Sequence, residues 1–124
     1  MGKLLRCINK KIGESKMKIL DYLDESRVKI DLQGRTKDNI LEELAKLFMN
    51  GDIIDEDNMQ EFITDIKERE KLSSTGLQDG IAIPHAKSEV VKKLALAIGT
   101  IKTGVEFDCM DGEPSKIFFM IAAP

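Results

Sequence analysis

Apolar residues along this 124-residue chain fall into two rhythms, one before and one after a loop near residue 75. In the first, they recur every three or four positions, which predicts helices. Ile40, Leu41, Leu44, Leu47 and Phe48 form one stripe, with Thr36 placed to cap its start and Gly51 its end. Met59, Phe62, Ile63 and Ile66 form a second stripe, opened by Asp55. Ahead of both, Val28, Ile30 and Leu32 alternate with Lys29 and Asp31, which predicts a half-buried strand.

The second rhythm is that of strands. Ile81 to Ile83 is short and apolar. Over residues 94–101, Leu94, Leu96 and Ile98 alternate with Ala95, Ala97 and Gly99. Such a strand has one bulky face and one flat face that admits a helix closely. Asp111-Gly112 signals a turn. Residues 117–123 are apolar throughout and read as a central strand covered on both faces. Strand, two helices and several further strands predict an α/β layered domain. Leu4, Leu5, Ile8 and Ile12 recur at helical spacing among basic residues, but so short a stretch is marginal as an isolated helix. Residues 1–16 are therefore expected to be an extension, with the domain occupying residues 17–124.

Composition narrows the function. The first 18 residues hold six cations against Glu14 alone, while the whole chain is at −3. The body is therefore acidic, and with few aromatic residues it is a poor match for nucleic acid. No apolar run approaches the roughly 18–20 residues of a membrane span, and the N-terminus lacks both a secretory signal and a myristoylation pattern. Cys7 and Cys109 read as unpaired thiols of a cytoplasmic chain. The acidic group Asp52, Asp55, Glu56 and Asp57 lacks the glycine and terminal glutamate of a calcium loop and is read as helix N-terminal charge.

The chemistry concentrates in residues 69–86, R-E-K-L-S-S-T-G-L-Q-D-G-I-A-I-P-H-A, which end next to the one histidine, His85. Gly76 and Gly80 allow tight turns and close approach to backbone N–H groups. Ser73, Ser74 and Thr75 add hydroxyl donors. Pro84 fixes its own φ and biases Ile83 toward an extended form, so a stiff dipeptide presents His85 at a strand end. With no second histidine and no nearby cysteine, a metal site and a metal cofactor are not expected. A serine-hydrolase elbow, G-x-S-x-G, is missing. What remains is imidazole as a nucleophile, with one ring nitrogen attacking a phosphoryl donor and the other held by an acceptor that fixes the tautomer. Phosphoryl transfer then asks for positioning and for stabilisation of oxygen charge. Arg69, three residues after Ile66 and seven after Phe62, lies in register with the apolar stripe. It is read either as a phosphate-facing cation or as a partner of the helix C-terminus, and the loop beside it favours the first.

The same residues carry a resemblance. R-E-K-L-S-S-T-G at 69–76, D-G-I-A-I-P-H-A at 79–86, L-A-L-A-I-G at 94–99 and I-F-F-M-I-A-A-P at 117–124 are similar to the fructose/mannitol-type enzyme IIA domains of the bacterial sugar phosphotransferase system. The resemblance implies a mixed sheet flanked by helices. It implies that His85 takes a phosphoryl group from the phosphocarrier HPr and passes it to an enzyme IIB domain for uptake of a fructose-like sugar, with membrane contact only through a IIC partner. It makes Arg69 the arginine of the site, with Ser73, Ser74, Thr75 and Gly76 as the surrounding phosphate-binding loop. Two alternatives stand beside transport: a regulatory nitrogen-type enzyme IIA, and an inactive truncated interaction module. Family domains continue past the I-A-A-P strand into helices that bring a second histidine. The chain is accordingly expected to lack those C-terminal helices, to leave an apolar patch over residues 117–123, and to self-associate through it.

Overall fold

A computed structural model describes residues 18–50 and 52–124. The proposed extension at 1–16, Cys7, Met17 and the expected cap Gly51 lie outside the described residues. Five strands form one mixed sheet: β1 (Leu23–Lys29), β2 (Ile81–Ala82), β3 (His85–Lys87), β4 (Ala95–Val105) and β5 (Ser115–Ala123). Their order is β1-β4-β5-β2, and β3 continues alongside β5 beyond β2. β1 runs parallel to β4, β5 runs antiparallel to β4, and β2 and β3 run parallel to β5. This is the mixed, helix-flanked sheet that the sequence predicts. Among the described residues, no helix is long and apolar enough to cross a membrane.

Two α-helices cover one face. α1 (Lys37–Ala45) starts where expected, with the Asn39 N–H donating to Thr36 Oγ1 at 3.2 Å. It tightens into a 3-10 turn over Lys46–Phe48. α2 (Met59–Leu72) follows a 3-10 turn over Glu56–Asn58 and buries the predicted stripe Met59, Phe62, Ile63 and Ile66. Phe48 and Phe62 meet edge to face with ring centroids 5.8 Å apart, which joins the two helices. The flat face of β4 works as its composition implies. A Cβ on Gly99 would lie 2.7 Å from both Leu32 Cδ1 and Leu44 Cδ2, so α1 sits as close as glycine permits.

Two expectations need correction. The strand expected at Val28–Ile30–Leu32 lies earlier, at Leu23–Lys29, and its buried residue is Arg27. Val28 and Ile30 are exposed, and past the strand Asp31 takes a positive φ of 64°, after which Leu32 is buried. The bare patch on β5 is likewise not found. β5 is central, as read, with Phe118, Met120 and Ala122 buried toward the helices. On the other face Phe119 and Ile121 are also buried, in a second cluster with Ile83 and Leu96, against which Ile19, Tyr22 and Leu77 pack. The large apolar residues left exposed, such as Leu20, Ile30, Leu72 and Met110, lie on separate elements. Around the second cluster Leu23, Ile81, Leu94, Ile98 and Ile117 are only partly buried.

Candidate active site

α2 ends at Leu72, and Ser73 is extended at φ −165°. The Arg69 guanidinium closes the helix end, with Nη1 donating to the Ser73 carbonyl at 2.8 Å. The chain then folds back on itself. Leu77 N–H donates to Ile81 O at 2.9 Å, Ile83 N–H donates to Thr75 O at 3.0 Å, and Gly76 bridges Ala82. The reversal is made at Asp79-Gly80, with φ values of 58° and 78°. Two successive positive φ values suit the tight hairpin turn that Asp-Gly favours. Gly76 has a different reason to be glycine. A Cβ there would sit 2.7 Å from the Phe107 carbonyl oxygen and 2.8 Å from Cys109 Sγ.

Pro84 interrupts the edge strand between β2 and β3 without shifting its register: Ala82 faces Phe118 and His85 faces Ile121. The carbonyls of Gly80 and Pro84 accept N–H groups of β5. Ile83 has the opposite parity, so its polar groups face the outer edge. Its N–H goes to Thr75, and its carbonyl lies 2.9 Å from His85 Nδ1. A carbonyl can only accept, so Nδ1 carries the proton and the ring's lone pair is on Nε2. This is the tautomer-fixing acceptor that the chemistry of a nucleophilic imidazole requires.

His85 is half-buried and opens onto a cleft of about 780 Å³ between β3 and the last turns of α2. Arg69, Lys71 and Lys87 line the same cleft, together with Asp65, Glu68 and Leu72. The structure therefore brings Arg69 and His85 to one cavity, and Arg69 serves the helix end at the same time. The hydroxyls are placed differently. Ser73 is exposed and uses its carbonyl for Arg69. Ser74 Oγ donates to the Phe107 carbonyl at 2.7 Å and accepts the Gly76 N–H at 3.0 Å. Thr75 is buried, with Oγ1 on Glu70 Oε1 at 2.5 Å. Ser74, Thr75 and Gly76 thus shape the loop from within.

Glu70 was not singled out from sequence. It is buried beneath the loop, where its carboxylate accepts the Thr75 N–H at 2.8 Å as well as the hydroxyl, and pairs with Lys37 Nζ at 2.8 Å. The signal was present: Glu70 follows Ile63 by seven residues and Ile66 by four, squarely on the apolar stripe. Burial works against the Lys37 charge, but Glu70 and Asp108 outweigh it and raise its pKa above 10.5. The Lys37 ammonium also lies 4.8 Å from the centre of the Phe107 ring. Cys109, bonded to Ser115 Oγ at 2.9 Å, has its thiol pKa pushed up by burial. Among the described residues, no three His, Cys, Asp or Glu side chains are grouped to hold a metal ion.

With this geometry in view, comparison with known proteins is informative. The chain is 36% identical over 107 residues to the fructose-specific EIIABC component of the phosphotransferase system of Bacillus subtilis. That match takes in 86% of this chain and 16% of the relative, so the chain spans a small part of that protein. The crystal structure of the nitrogen regulatory protein IIA-Ntr from Neisseria meningitidis superimposes with a TM-score of 0.75 at 30% identity, over 84% of this chain and 69% of that one. A complex of Escherichia coli enzyme IIA mannitol with phosphorylated enzyme IIB mannitol shares the fold, with a TM-score of 0.67 at 21% identity, over 81% of this chain and 69% of that one. Residues 21–124 match the family model described as phosphoenolpyruvate-dependent sugar phosphotransferase system, EIIA 2, and the chain belongs to that family.

Proposed function

We propose that the chain is a phosphocarrier domain in which His85 is the residue that carries the phosphoryl group. The observation that carries this reading is the Ile83 carbonyl 2.9 Å from His85 Nδ1, which assigns the lone pair to Nε2 on a ring that lines a cleft with Arg69. The Nε2 lone pair attacks the phosphorus of phosphorylated HPr. The new N–P bond forms as the donor's N–P bond breaks, and the donor imidazole leaves with that electron pair. The His85 ring gains positive character, which its Nδ1–H shares with the Ile83 carbonyl. The Arg69 fork offsets charge on the equatorial oxygens. Passage to an enzyme IIB domain reverses these steps. The fructose-specific relative supports uptake of a fructose-like sugar, with the chain acting in the cytoplasm and reaching the membrane through a IIC domain. The likeness to the nitrogen regulatory protein supports a second reading, in which the phosphorylation state of His85 controls a partner protein.

The test is incubation with enzyme I, HPr and phosphoenolpyruvate. Acid-labile, alkali-stable phosphate is expected on the chain and none on His85→Ala. Label that persists in His85→Ala, or that resides on serine or threonine, would sink the assignment. Arg69→Lys keeps the charge and loses the fork. Loss of a charge-stabilising donor of this kind costs on the order of 10²-fold in rate, and an unchanged rate would confine Arg69 to closing the helix.

A further inference from the structure

We propose that Glu70 is a positioning residue for His85, acting through Thr75 and Ile83 to hold the imidazole in the Nδ1-protonated tautomer. The inference rests on the reading of His85 as the phosphoryl acceptor. The path is continuous and made of hydrogen bonds. Glu70 takes both the N–H and the hydroxyl of Thr75, at 2.8 and 2.5 Å. The Thr75 carbonyl takes the Ile83 N–H at 3.0 Å, and the Ile83 carbonyl takes His85 Nδ1 at 2.9 Å.

Each link is needed because of where it lies. Ile83 sits between two short strands on the outer edge of the sheet, just before a proline that has no N–H to give. Among the described residues no named strand pairs with its peptide groups on that side, and Thr75 takes the place of one. Thr75 is itself in a loop whose charged anchor within the core, among the described residues, is Glu70, which is 6% exposed. Lys37 fixes Glu70 in turn, at 2.8 Å. Without Glu70, the Thr75 segment loses two bonds at once. The Ile83 peptide is then free to rock, and the carbonyl that selects the tautomer moves with it. Glu70 touches neither the imidazole nor a phosphoryl group, so its effect appears in how often the ring is competent and not in binding of the donor protein.

The experiment compares wild type with Glu70→Ala, Glu70→Gln and Thr75→Val. Two quantities are read: the His85 tautomer ratio from long-range ¹H–¹⁵N correlations of the ring, and kcat and KM for transfer from phosphorylated HPr. Wild type is expected to show the Nδ1–H tautomer as the dominant neutral form. Glu70→Ala is expected to populate both tautomers and to lower kcat about tenfold with KM unchanged, which is the loss expected from an acceptor worth roughly one hydrogen bond. Glu70→Gln keeps an acceptor for the Thr75 N–H and a polar partner for its hydroxyl, so it should restore most of both signals. Thr75→Val removes the hydroxyl without changing the volume and should shift both in the direction of Glu70→Ala. It decides the matter if Glu70→Ala does not fold. An unchanged tautomer ratio in Thr75→Val and Glu70→Ala would overturn the inference. So would a Glu70→Gln variant as impaired as Glu70→Ala, since charge and not position would then be at work. If wild type accepts no phosphate, the assigned function fails, while the tautomer ratios still decide the role of Glu70.

Discussion

Each of the two helices sends one glutamate to a loop at an edge of the sheet, and the two are built alike. Glu43 of α1 accepts the N–H groups of Gln33 and Gly34 at 3.0 and 2.9 Å and pairs with Lys29 at 2.9 Å. Glu70 of α2 accepts the N–H and hydroxyl of Thr75 and pairs with Lys37. Each holds a loop beside an edge strand with backbone bonds and one lysine. They differ in depth and in what lies beyond. The Glu43 side chain is 15% exposed and its loop leaves β1, a strand of seven residues. The Glu70 side chain is 5% exposed and its loop leads to a broken edge of two and three residues that carries His85. The same device anchors β1, whose register on β4 shifts between Leu23 and Val28, from the surface, and the β2–β3 edge, which keeps its register on β5 across Pro84, from the core. The two edges differ in how deep the anchor sits and in what it reaches: Glu43 is partly open to water, whereas Glu70 is shielded beneath the loop whose Thr75 carbonyl takes the Ile83 N–H.

Truncating the two glutamates should expose that difference first. Glu70→Ala removes a buried acceptor and leaves Lys37 with only the exposed Asp108 at 3.2 Å. A loss of about 3 kcal/mol is expected, as for breaking a buried pair. Glu43→Ala removes bonds that water can replace, and about 1 kcal/mol is expected. Equal costs in denaturant unfolding would show that depth does not matter here.

The glycines under the two edges give the next contrast. Alanine at position 76 would press on the Phe107 carbonyl, a backbone atom that cannot step aside, and should cost about 2 to 3 kcal/mol. Alanine at position 99 would press on the methyl ends of Leu32 and Leu44, which can rotate, and should cost about 1 kcal/mol. Thermal midpoints that fall by the same amount would mean the two walls are equally stiff.

These contrasts also mark what could be read from the chain alone. Helix stripes, the Thr36 cap, the flat face of β4, the central β5 and the Asp111-Gly112 turn are written in apolar spacing and in residue type, and all were legible. β1 was not, because its inward residue is Arg27, whose guanidinium donates to the carbonyls of Leu96 and Tyr22. Apolar alternation cannot register a buried cation. His85 and Arg69 announced themselves by type and place, and they do share a cleft. That the Ser74 and Thr75 hydroxyls turn to the Phe107 carbonyl and to Glu70 was not legible, because a loop sequence shows donors but not their direction. Glu70 passed unnoticed because, beside Arg69, it looked like ordinary helix surface charge, although its place on the stripe said otherwise.

The smallest expected effect is in how the two anchors respond to pH, and they should fail at opposite ends. Burial tends to raise the Glu43 pKa, but the N–H groups of Gln33 and Gly34 and the Lys29 charge outweigh it and hold it below 4.5. A folded-state pKa that is depressed gives stability that is complete above the unfolded value and lost as pH falls through the folded one. The stability difference between wild type and Glu43→Gln should therefore be steady above 4.5 and shrink in acid. At the other edge the Lys37 pKa is raised above 10.5 in the folded protein. Its contribution is complete below the unfolded value and lost only as pH climbs through the folded one. The difference between wild type and Lys37→Met should therefore shrink in alkali as pH climbs above 10.5, a range in which the Glu43 difference stays level. Denaturant unfolding of both pairs across pH is the measurement. A Glu43→Gln difference that stays level in acid, or a Lys37→Met difference that stays level in alkali, would show that the corresponding ion pair does not anchor its edge.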